Sequence, residues 1–406
     1  MQSAYSKPGH IPTVSGGYTW ADETNKCFYQ FGGEFAPGTS PMDFSMWTYD
    51  VLLNQWNTTE TIGEKNPQRV SYGAGTQVES RGLGFYFGGW LSNKTTPGWT
   101  GPPMATTGLM RFDMSTGDLQ NTTGPDDIGR AEGQLVFLPV SDSGVLVYFG
   151  GIEDSYRNGS FDATIHVYDM ASSKWYTQTA SGDIPDTRRQ FCADVTWPDD
   201  QSSFNIYLYG GYGFEKAAAY DDVYILSLPS FTWIKVFSSD DVPSQVGHGG
   251  CSANVVNHAQ MLVIGGWFPL YDKCDAPEGQ GQHNMVLGYN GGDSKLWDKF
   301  SPQLDDYVVP SPIIAAVGGG KIGNSVSSLS YRVSIWWKLK EVKPTNTTRP
   351  TRLKALPRTV TLPHTYLLLK AGTQVGHHLE SNSLPTTFAT LRQVLGAPRF
   401  SILILH

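Results

Sequence analysis

The chain has 406 residues, a formal net charge of −8, 13% aromatic residues and 45 glycines. No apolar run approaches the ~18 residues that a membrane-spanning helix needs, so the sequence predicts no such helix. Residues 1–320 hold 17 basic and 35 acidic residues, a net charge of −18, whereas residues 321–406 hold 12 and 2, a net charge of +10. The acidic region would repel phosphate, which argues against nucleic acid as a partner.

The first 14 residues show no alternation typical of a strand. They also lack the apolar core of about 7–15 residues that a secretion signal contains. We therefore expect an irregular N-terminal segment at 1–14 that is not a signal peptide.

A pair of glycines then recurs behind a short apolar or aromatic stretch. The first glycines of successive pairs lie 56, 62, 60, 55 and 53 residues apart. The pairs are Gly32 and Gly33, Gly88 and Gly89, Gly150 and Gly151, Gly210 and Gly211, Gly265 and Gly266, and Gly318 and Gly319. Such regular spacing indicates an array of similar structural units.

Each unit carries further marks at matching places. An aromatic residue with an acid, such as Tyr49-Asp50, follows the glycines, and a tryptophan comes seven or eight residues after the aromatic position in four units: Trp56, Trp175, Trp233 and Trp297. The next unit opens on a basic residue, in turn Arg69, Arg130, Arg189 and His248. Short alternating runs predict about four strands per unit. We expect the glycines to mark close approaches to the backbone, with the tryptophan as the approaching group.

Together the glycine pair, Tyr-Asp and Trp resemble the kelch motif, over roughly residues 15–320. The resemblance implies an all-β fold, a kelch-type β-propeller with five complete four-stranded blades. The sixth glycine pair has no Tyr-Asp or Trp after it, which predicts a partial sixth blade and leaves open whether the ring closes.

Some stretches more closely resemble fungal secreted or membrane-anchored kelch proteins with a galactose oxidase-like propeller. These stretches are 20–26, 251–255, 264–266, 274–277, 282–284 and 309–312. The resemblance implies the secretory pathway or cell surface, and the missing signal favours a cytoplasmic location as the alternative. Glycosylation sequons in the repeat region, expected in loops, occur at Asn57, Asn93, Asn121 and Asn158.

The four cysteines give one candidate disulfide. Cys251 and Cys274 fall in one unit on either side of the Gly265-Gly266 strand, and the resemblance supports their pairing. Cys192 and Cys251 occupy equivalent places in successive units, which are usually too far apart for the Cα separation of about 7 Å that a disulfide tolerates. Cys27 and Cys192 are expected to be core thiols, and a buried free thiol at Cys251 remains the alternative.

No catalytic constellation emerges from the repeats. Their histidines show no spacing typical of metal ligands. Galactose oxidase, an enzyme with kelch repeats, needs two tyrosines and two histidines around copper, and no such set matches here. The sequence therefore predicts no catalytic residue, no cofactor and no metal site. A metal-dependent oxidoreductase or a specifier-type enzyme is the less favoured alternative.

Exposed aromatic loops predict binding instead. The longest insertion runs from residue 90 to 107, and other aromatic residues directly follow later glycine pairs. The candidate binding residues are Trp90, Trp99, Tyr212, Phe214, Trp267, Phe268, Tyr271 and His283. We interpret the propeller as a non-catalytic binding or scaffold module for a protein or glycan partner, with an intracellular kelch adaptor as the alternative.

The composition changes sharply near residue 320. Residues 321–406 contain no aspartate and only four glycines. Two hypotheses remain open for this basic tail, a disordered segment or a gene-model artefact, and we favour the artefact.

Overall fold

The computed structural model describes residues 7–65, 67–140, 143–153, 163–213, 219–237, 247–270, 281–289 and 295–323, and the backbone of 273–274. The predictions for Phe214, Tyr271, Asn158, the Cys274 side chain and residues 324–406 lie outside the described residues. Within the described part, no helix is long and apolar enough to span a membrane.

Five consecutive sheets, mostly antiparallel, form five propeller blades, which confirms the predicted all-β propeller. Blade 1 pairs its strands in chain order. These strands are β1 (Val14–Asp22), β2 (Cys27–Phe35), β3 (Met46–Asp50) and β4 (Gln55–Thr59).

Blade 2 adds a strand that arrives from blade 1. The sheet has the order β5-β11-β10-β7-β6, and β8 and β9 form a separate hairpin at the base of the insertion. The strands are β5 (Ile62–Gly63), β6 (Ala74–Val78), β7 (Leu83–Phe87), β8 (Trp90–Leu91), β9 (Met104–Ala105), β10 (Leu109–Asp113) and β11 (Asp118–Thr122).

Blades 3 and 4 each share one feature with blade 2: blade 3 has a separate two-stranded pair, and blade 4 has an added fifth strand. Blade 3 has the order β13-β14-β16-β17 with β12 paired to β15, and blade 4 has the order β18-β22-β21-β20-β19. Blade 3 contains β12 (Arg130–Ala131), β13 (Gln134–Leu138), β14 (Val145–Phe149), β15 (Ile152–Glu153), β16 (Thr164–Asp169) and β17 (Lys174–Thr179). Blade 4 contains β18 (Ser181–Gly182), β19 (Cys192–Thr196), β20 (Phe204–Tyr209), β21 (Val223–Leu228) and β22 (Thr232–Phe237).

Among the described residues, which omit 290–294, the sheet of blade 5 has three strands. A single bridge joins Met285 to Trp297, where the fourth strand is predicted. Its strands are β23 (Ser252–Val256), β24 (Gln260–Ile264) and β27 (Gln282–Val286), with β25 (Trp267–Phe268) and β26 (Lys273–Cys274) as a separate pair.

The stretch before the sixth glycine pair is a helix, not the expected strand. Helix α1 (Ser311–Val317) has a proline in its first turn and buries Ile313 and Val317, which are four residues apart on one helical face. The predicted partial sixth blade is therefore not formed by this stretch.

The tryptophans at equivalent positions of blades 3, 4 and 5 pack against neighbouring blades. Trp175 packs on Phe87, Trp233 on Phe149 and Trp297 on Tyr209, with ring centroids 5.2, 5.7 and 4.9 Å apart. Each partner directly precedes the glycine pair of an earlier blade. Trp56, in blade 1, packs on Phe28 and Tyr49 of its own blade. Aromatic contacts of this kind add to the hydrophobic core that joins neighbouring sheets.

The glycine pairs have a different role from the one predicted. Gly88 has φ +67°, and a Cβ there would lie 2.1 Å from the carbonyl oxygen of Arg130 in the next blade. The amide of Gly89 donates to that same carbonyl at 2.8 Å. The approaching group is thus the backbone of the next blade, and the expectation that it would be a tryptophan is wrong. A Cβ at Gly265 would meet no described residue within 4 Å, so this contact is not repeated after blade 5 among the described residues.

Candidate functional site

A chain of backbone hydrogen bonds links all five blades where their first strands begin. One residue per blade takes part, in order Gly16, Tyr72, Glu132, Gln190 and Gly250, and each amide donates to the carbonyl of the preceding one at 2.6, 2.6, 3.1 and 2.8 Å. We call this set the axial chain, because the first strands of successive blades contact one another.

Every residue of the axial chain has left-handed backbone geometry. The φ values are +52° for Tyr72, +62° for Glu132 and +50° for Gln190, alongside the two glycines. An L-residue with a side chain pays roughly 1–3 kcal/mol for such a conformation, which persists where the surrounding structure imposes it and is concentrated at functional sites. The strain therefore directs attention to the side chains of these three residues.

Glu132 is the centre of the polar contacts above the axial chain. Its carboxylate accepts hydrogen bonds from Trp90 Nε1 at 2.9 Å and from Gln190 Nε2 at 2.9 Å. The guanidinium of Arg189 lies 3.6 Å from the same carboxylate, whose side chain is only 6% exposed. A buried carboxylate with three partners is fixed in position, so it forms a rigid floor.

A groove opens beside Glu132, with a volume of about 750 Å³. Its walls come from the insertion and from the axial chain and neighbouring blades. The lining residues are Glu34, Tyr72, Trp90, Ser92, Asn93, Lys94, Trp99, Pro102, Pro103, Met104, Glu132, Ile152, Glu153 and Arg189. The size lies within the ~300–1,000 Å³ typical of ligand pockets. We refer to it as the blade-2 groove.

The insertion is held open by its own local bonds. Trp99 Nε1 donates to the carbonyl of Gly101 at 2.8 Å, and Thr95 is fully buried against Ser92, whose amide donates to the Thr95 hydroxyl at 2.8 Å. Pro102 and Pro103 remain exposed beside the groove. Proline loses little freedom on binding, so this wall is prepared for contact at low entropic cost.

All charged residues of the groove are paired. Lys94 bonds Glu34 at 3.1 Å, Arg189 lies 3.6 Å from Glu132, and Arg130, below the lining, bonds Glu153 at 3.0 Å. The lining itself carries three carboxylates against two cations. The groove therefore offers aromatic and apolar walls with a weakly negative net charge.

Arg189 connects the groove to the second predicted region. Its guanidinium stacks over the Tyr212 ring at 4.5 Å, and Tyr212 contacts Trp267 at 5.7 Å between ring centroids. Burial raises the pKa of Tyr212 to about 12. The structure thus brings two of the predicted binding loops together around one arginine.

The remaining described candidates form what we call the blade-5 aromatic cluster, together with His248, which was predicted only as the basic residue that opens its unit. The cluster consists of Tyr212, Trp267, Phe268, His248 and His283. His248 lies 4.7 Å from Phe268 and 5.4 Å from His283 between ring centroids. These rings pack on one another and are not part of the lining of the blade-2 groove.

Beneath this cluster, a tyrosine joins an acid and a histidine. Tyr209 donates to Asp221 at 2.5 Å and its hydroxyl lies 2.9 Å from His248 Nδ1. Burial raises the pKa of the Asp221 carboxyl and of the Tyr209 hydroxyl. Because the hydroxyl is fully engaged, the arrangement is that of a structural network.

The buried arginine that opens blade 4 is Arg188, not the predicted Arg189. Arg188 is fully buried and donates to the carbonyl of Gly210 at 3.1 Å and to the carboxylate of Asp222 at 2.5 and 3.1 Å. The sequence placed two arginines side by side, and only the pairing with Asp222 distinguishes the structural one. Arg189 is left for the groove.

The cysteines depart from the expected distances. The sulfurs of Cys192 and Cys251 lie 2.6 Å apart, so the expectation that these equivalent positions are too distant is wrong. Cys27, Cys192 and Cys251 are buried, and the structure shows no disulfide bond at any of the three. The pairing of Cys251 with Cys274 stays a prediction, since the Cys274 side chain lies outside the described residues.

The three described sequons are exposed, but only one lies in a loop. Asn57 is in β4 and Asn121 in β11, in the outer part of their blades, whereas Asn93 is in the insertion and lines the groove. The expectation of loops was wrong for the first two, because both sequons lie in strands whose side chains still reach solvent.

The described residues contain no group of three or more His, Cys, Asp or Glu side chains arranged to hold a metal ion. Sequence reasoning missed the polar residues of the groove, above all Tyr72, Glu132 and Lys94. One signal was available: Tyr72 and Glu132 lie just before a glycine at the start of each first strand. That Tyr72 and Glu132 occupy equivalent positions in successive blades becomes clear only from their shared left-handed backbone geometry.

The blade architecture and the axial chain define a β-propeller, and the comparisons with known proteins identify its family. The KLHDC2/KLHL20/DRC7 Kelch-repeats domain matches residues 17–266 and 138–299. The matched residues span more than half of the chain, so the chain belongs to the Kelch-repeat family.

Two similar proteins illustrate the relation. The Kelch repeat-containing protein of Arthroderma benhamiae is 29% identical over an alignment length of 385, and the match covers 78% of this chain and 55% of that protein. The chain therefore spans only about 55% of the length of this curated relative. The solved structure described as "Structure of YjhT" matches with a TM-score of 0.52 at 13% identity, covering 69% of this chain and 83% of that one. This second likeness concerns the fold alone.

Proposed function

We propose that this kelch propeller is a non-catalytic binding module and that the blade-2 groove holds a segment of a partner protein. The observation that supports this most is the combination of a rigid floor at Glu132 with aromatic walls at Trp90 and Trp99. A rigid, preformed groove reduces the ordering cost of binding, which favours affinity.

The chemistry of the groove suggests the character of the partner. Indole rings, prolines and Met104 offer apolar contact, and the paired charges leave a small negative excess. A short extended segment with apolar side chains and a neutral or weakly basic net charge fits this surface best. Trp99, which is partly exposed, is the expected anchor for such a segment.

A glycan is the second candidate partner. Trp99 and the carboxylates of Glu34 and Glu153 line the same groove. An aromatic ring offers an apolar face to a sugar, and carboxylate oxygens accept hydrogen bonds from its hydroxyl groups. A protein partner and a glycan partner are distinguished by whether a peptide library or a glycan array yields a ligand for the groove.

The absence of catalysis is also part of the proposal. In the buried network of Tyr209, His248 and Asp221, the Tyr209 hydroxyl is used in internal hydrogen bonds. A metal-dependent oxidoreductase or specifier-type enzyme is the alternative. Metal analysis of the purified protein separates the two, since a stoichiometric transition metal would contradict a non-catalytic module.

For location, we propose the secretory pathway or cell surface, with an intracellular kelch adaptor as the alternative. Asn57, Asn93 and Asn121 are exposed and so accessible to glycosylation. Glycopeptide analysis of the protein from its native cells distinguishes the two: occupied sequons support the first location, and three unmodified asparagines support the second.

The binding proposal is tested with two defined libraries. The purified full chain is panned against a phage-displayed random peptide library and applied to a glycan array. Affinities of the selected ligand are then measured by fluorescence polarisation for the native chain, for Trp99→Ala and for the control Trp267→Ala. We expect Trp99→Ala to weaken binding at least about tenfold, as loss of an aromatic anchor does. Equal affinity for all three proteins would contradict the assignment of the groove.

A further inference from the structure

Two buried sulfur atoms from neighbouring blades lie almost in bonding contact. Cys192 begins β19 in blade 4, Cys251 immediately precedes β23 in blade 5, and their sulfurs are 2.6 Å apart. The bond length of a disulfide is about 2.05 Å. The two side chains already point at each other across the interface between the blades.

The backbones on both sides of this pair are held together. The amide of Gly250 donates to the carbonyl of Gln190 at 2.8 Å, directly before the two cysteines. Past them, the amide of Val255 donates to the carboxylate of Asp194 at 2.6 Å. Because the strands are joined at both ends, the sulfurs can be bridged without moving the blades.

We propose that Cys192 and Cys251 form a disulfide that joins blades 4 and 5. The oxidant is a low-molecular-weight disulfide such as oxidised glutathione. One cysteine thiolate attacks it, forms a mixed disulfide and releases one glutathione thiol. The second cysteine thiolate then attacks the mixed disulfide and releases the second glutathione thiol. Two electrons and two protons pass in total from the cysteine pair to the oxidant.

The bond forms while blades 4 and 5 assemble. Both thiols are buried in the folded protein, with Cys192 only 1% and Cys251 only 8% exposed. Burial raises the pKa of the Cys192 thiol, which keeps the reactive thiolate scarce once the interface has closed. During folding, before the interface closes, the thiols are still accessible to the oxidant and their pKa is not yet raised by burial.

This bridge competes with the pairing predicted from the sequence. Cys251 has one sulfur and bonds either Cys192 or Cys274. The described geometry favours Cys192, because its sulfur is already at 2.6 Å. The two pairings therefore exclude each other and give opposite results in one experiment.

The test uses the unmodified full chain. The protein is unfolded, refolded with a mixture of reduced and oxidised glutathione, alkylated and digested with trypsin without reduction. Cleavage after lysine and arginine places the four cysteines on four different peptides, beginning at Cys27, Gln190, Val236 and Cys274. We expect one linked pair in mass spectrometry, peptide 190–216 joined to peptide 236–273. Alkylated Cys192 and Cys251, or a link from Cys251 to Cys274, would overturn the proposal.

Thermal melting supplies a second readout. The oxidised native chain is expected to melt roughly 5–10 °C above the reduced chain, because the bond closes a long loop in the unfolded state. This difference should persist in Cys274→Ser and disappear in Cys192→Ser. A difference that disappears in Cys274→Ser but persists in Cys192→Ser would contradict the proposed pair.

Discussion

Blade 2 and blade 5 carry the same glycine pair followed by a tryptophan, yet their surroundings differ. In blade 2, Gly88 meets the carbonyl of Arg130 in the next blade, and Trp90 donates to Glu132 of that blade. In blade 5, a Cβ at Gly265 would meet no described residue within 4 Å, and Trp267 packs back on Tyr212 of the preceding blade. The same motif thus builds a groove where a following blade supplies the floor, and a packed cluster where none does among the described residues.

The largest expected effect separates these two glycine pairs. Gly88→Ala places a methyl group 2.1 Å from a backbone oxygen and should lower the free energy of unfolding by about 3 kcal/mol or more. Gly265→Ala has φ +68° and places its methyl group within 4 Å of no described residue, so it should lower the free energy of unfolding by only the ~1 kcal/mol of backbone strain. Urea unfolding of both variants measures the difference. Equal losses would mean that the contact between blades contributes nothing beyond strain.

Removing the groove floor is expected to be nearly as costly. Glu132→Ala leaves Trp90 Nε1, Gln190 Nε2 and the Arg189 guanidinium without their buried acceptor, which should cost about 2–3 kcal/mol. Glu34→Ala, which removes a more exposed carboxylate beside the same groove, should cost less than about 1 kcal/mol. Chemical denaturation checks both variants. A Glu132→Ala protein as stable as the native chain would show that the floor is not rigidly held.

The third prediction compares two tryptophan substitutions, one expected to weaken ligand binding and the other expected to lower stability. Trp99→Ala should weaken capture of the selected ligand at least about tenfold while the melting temperature falls by only a few degrees. Trp267→Ala should do the reverse, because its ring packs within the blade-5 aromatic cluster. Polarisation and calorimetry on the same samples give both values. Loss of binding in the Trp267→Ala protein alone would move the site to blade 5.

The smallest effect is expected at the strands that join blades 4 and 5. Burial raises the pKa of the Asp194 carboxyl to about 6, although its bonds from Val255 and Val195 oppose the shift. The folded state then holds more protons than the unfolded state between about pH 4 and 6, so stability should fall as the pH rises through this window.

Asp194→Asn removes that titration and keeps one acceptor oxygen. We expect its stability to be flatter between pH 4 and 6, by at most about 2 kcal/mol, since part of the side chain meets solvent. A slope in Asp194→Asn identical to that of the native chain would rule out this origin.

The repeated motifs were sufficient to predict the propeller, because glycine pairs and tryptophans recur at fixed places. They were insufficient to predict which groups the glycines and tryptophans contact. The glycines admit the backbone of the next blade, and a single sequence does not show which groups meet across blades. The strand expected before Gly318 is a helix, since Pro312 in its first turn and the spacing of Ile313 and Val317 favour helical packing.

For the candidate site, the sequence predicted only the aromatic residues. Trp90 and Trp99 do line a groove, but Glu132 and Tyr72 were missed because the glycine after each of them does not by itself reveal their left-handed geometry. The choice between Arg188 and Arg189 likewise depends on the position of Asp222. Contacts between distant repeats, rather than local pattern, decide which side chains reach the site.

The most direct test of the central claim is site-specific crosslinking. A benzophenone amino acid is placed at Met104, which lines the groove and is 43% exposed, or at Leu53, which is 64% exposed in blade 1 outside the groove lining. The ligand selected on the native chain is added and irradiated, and the adducts are mapped by mass spectrometry. A binding module that uses the blade-2 groove predicts crosslinking from position 104 and none from position 53. Crosslinking from position 53 with none from position 104 would contradict it.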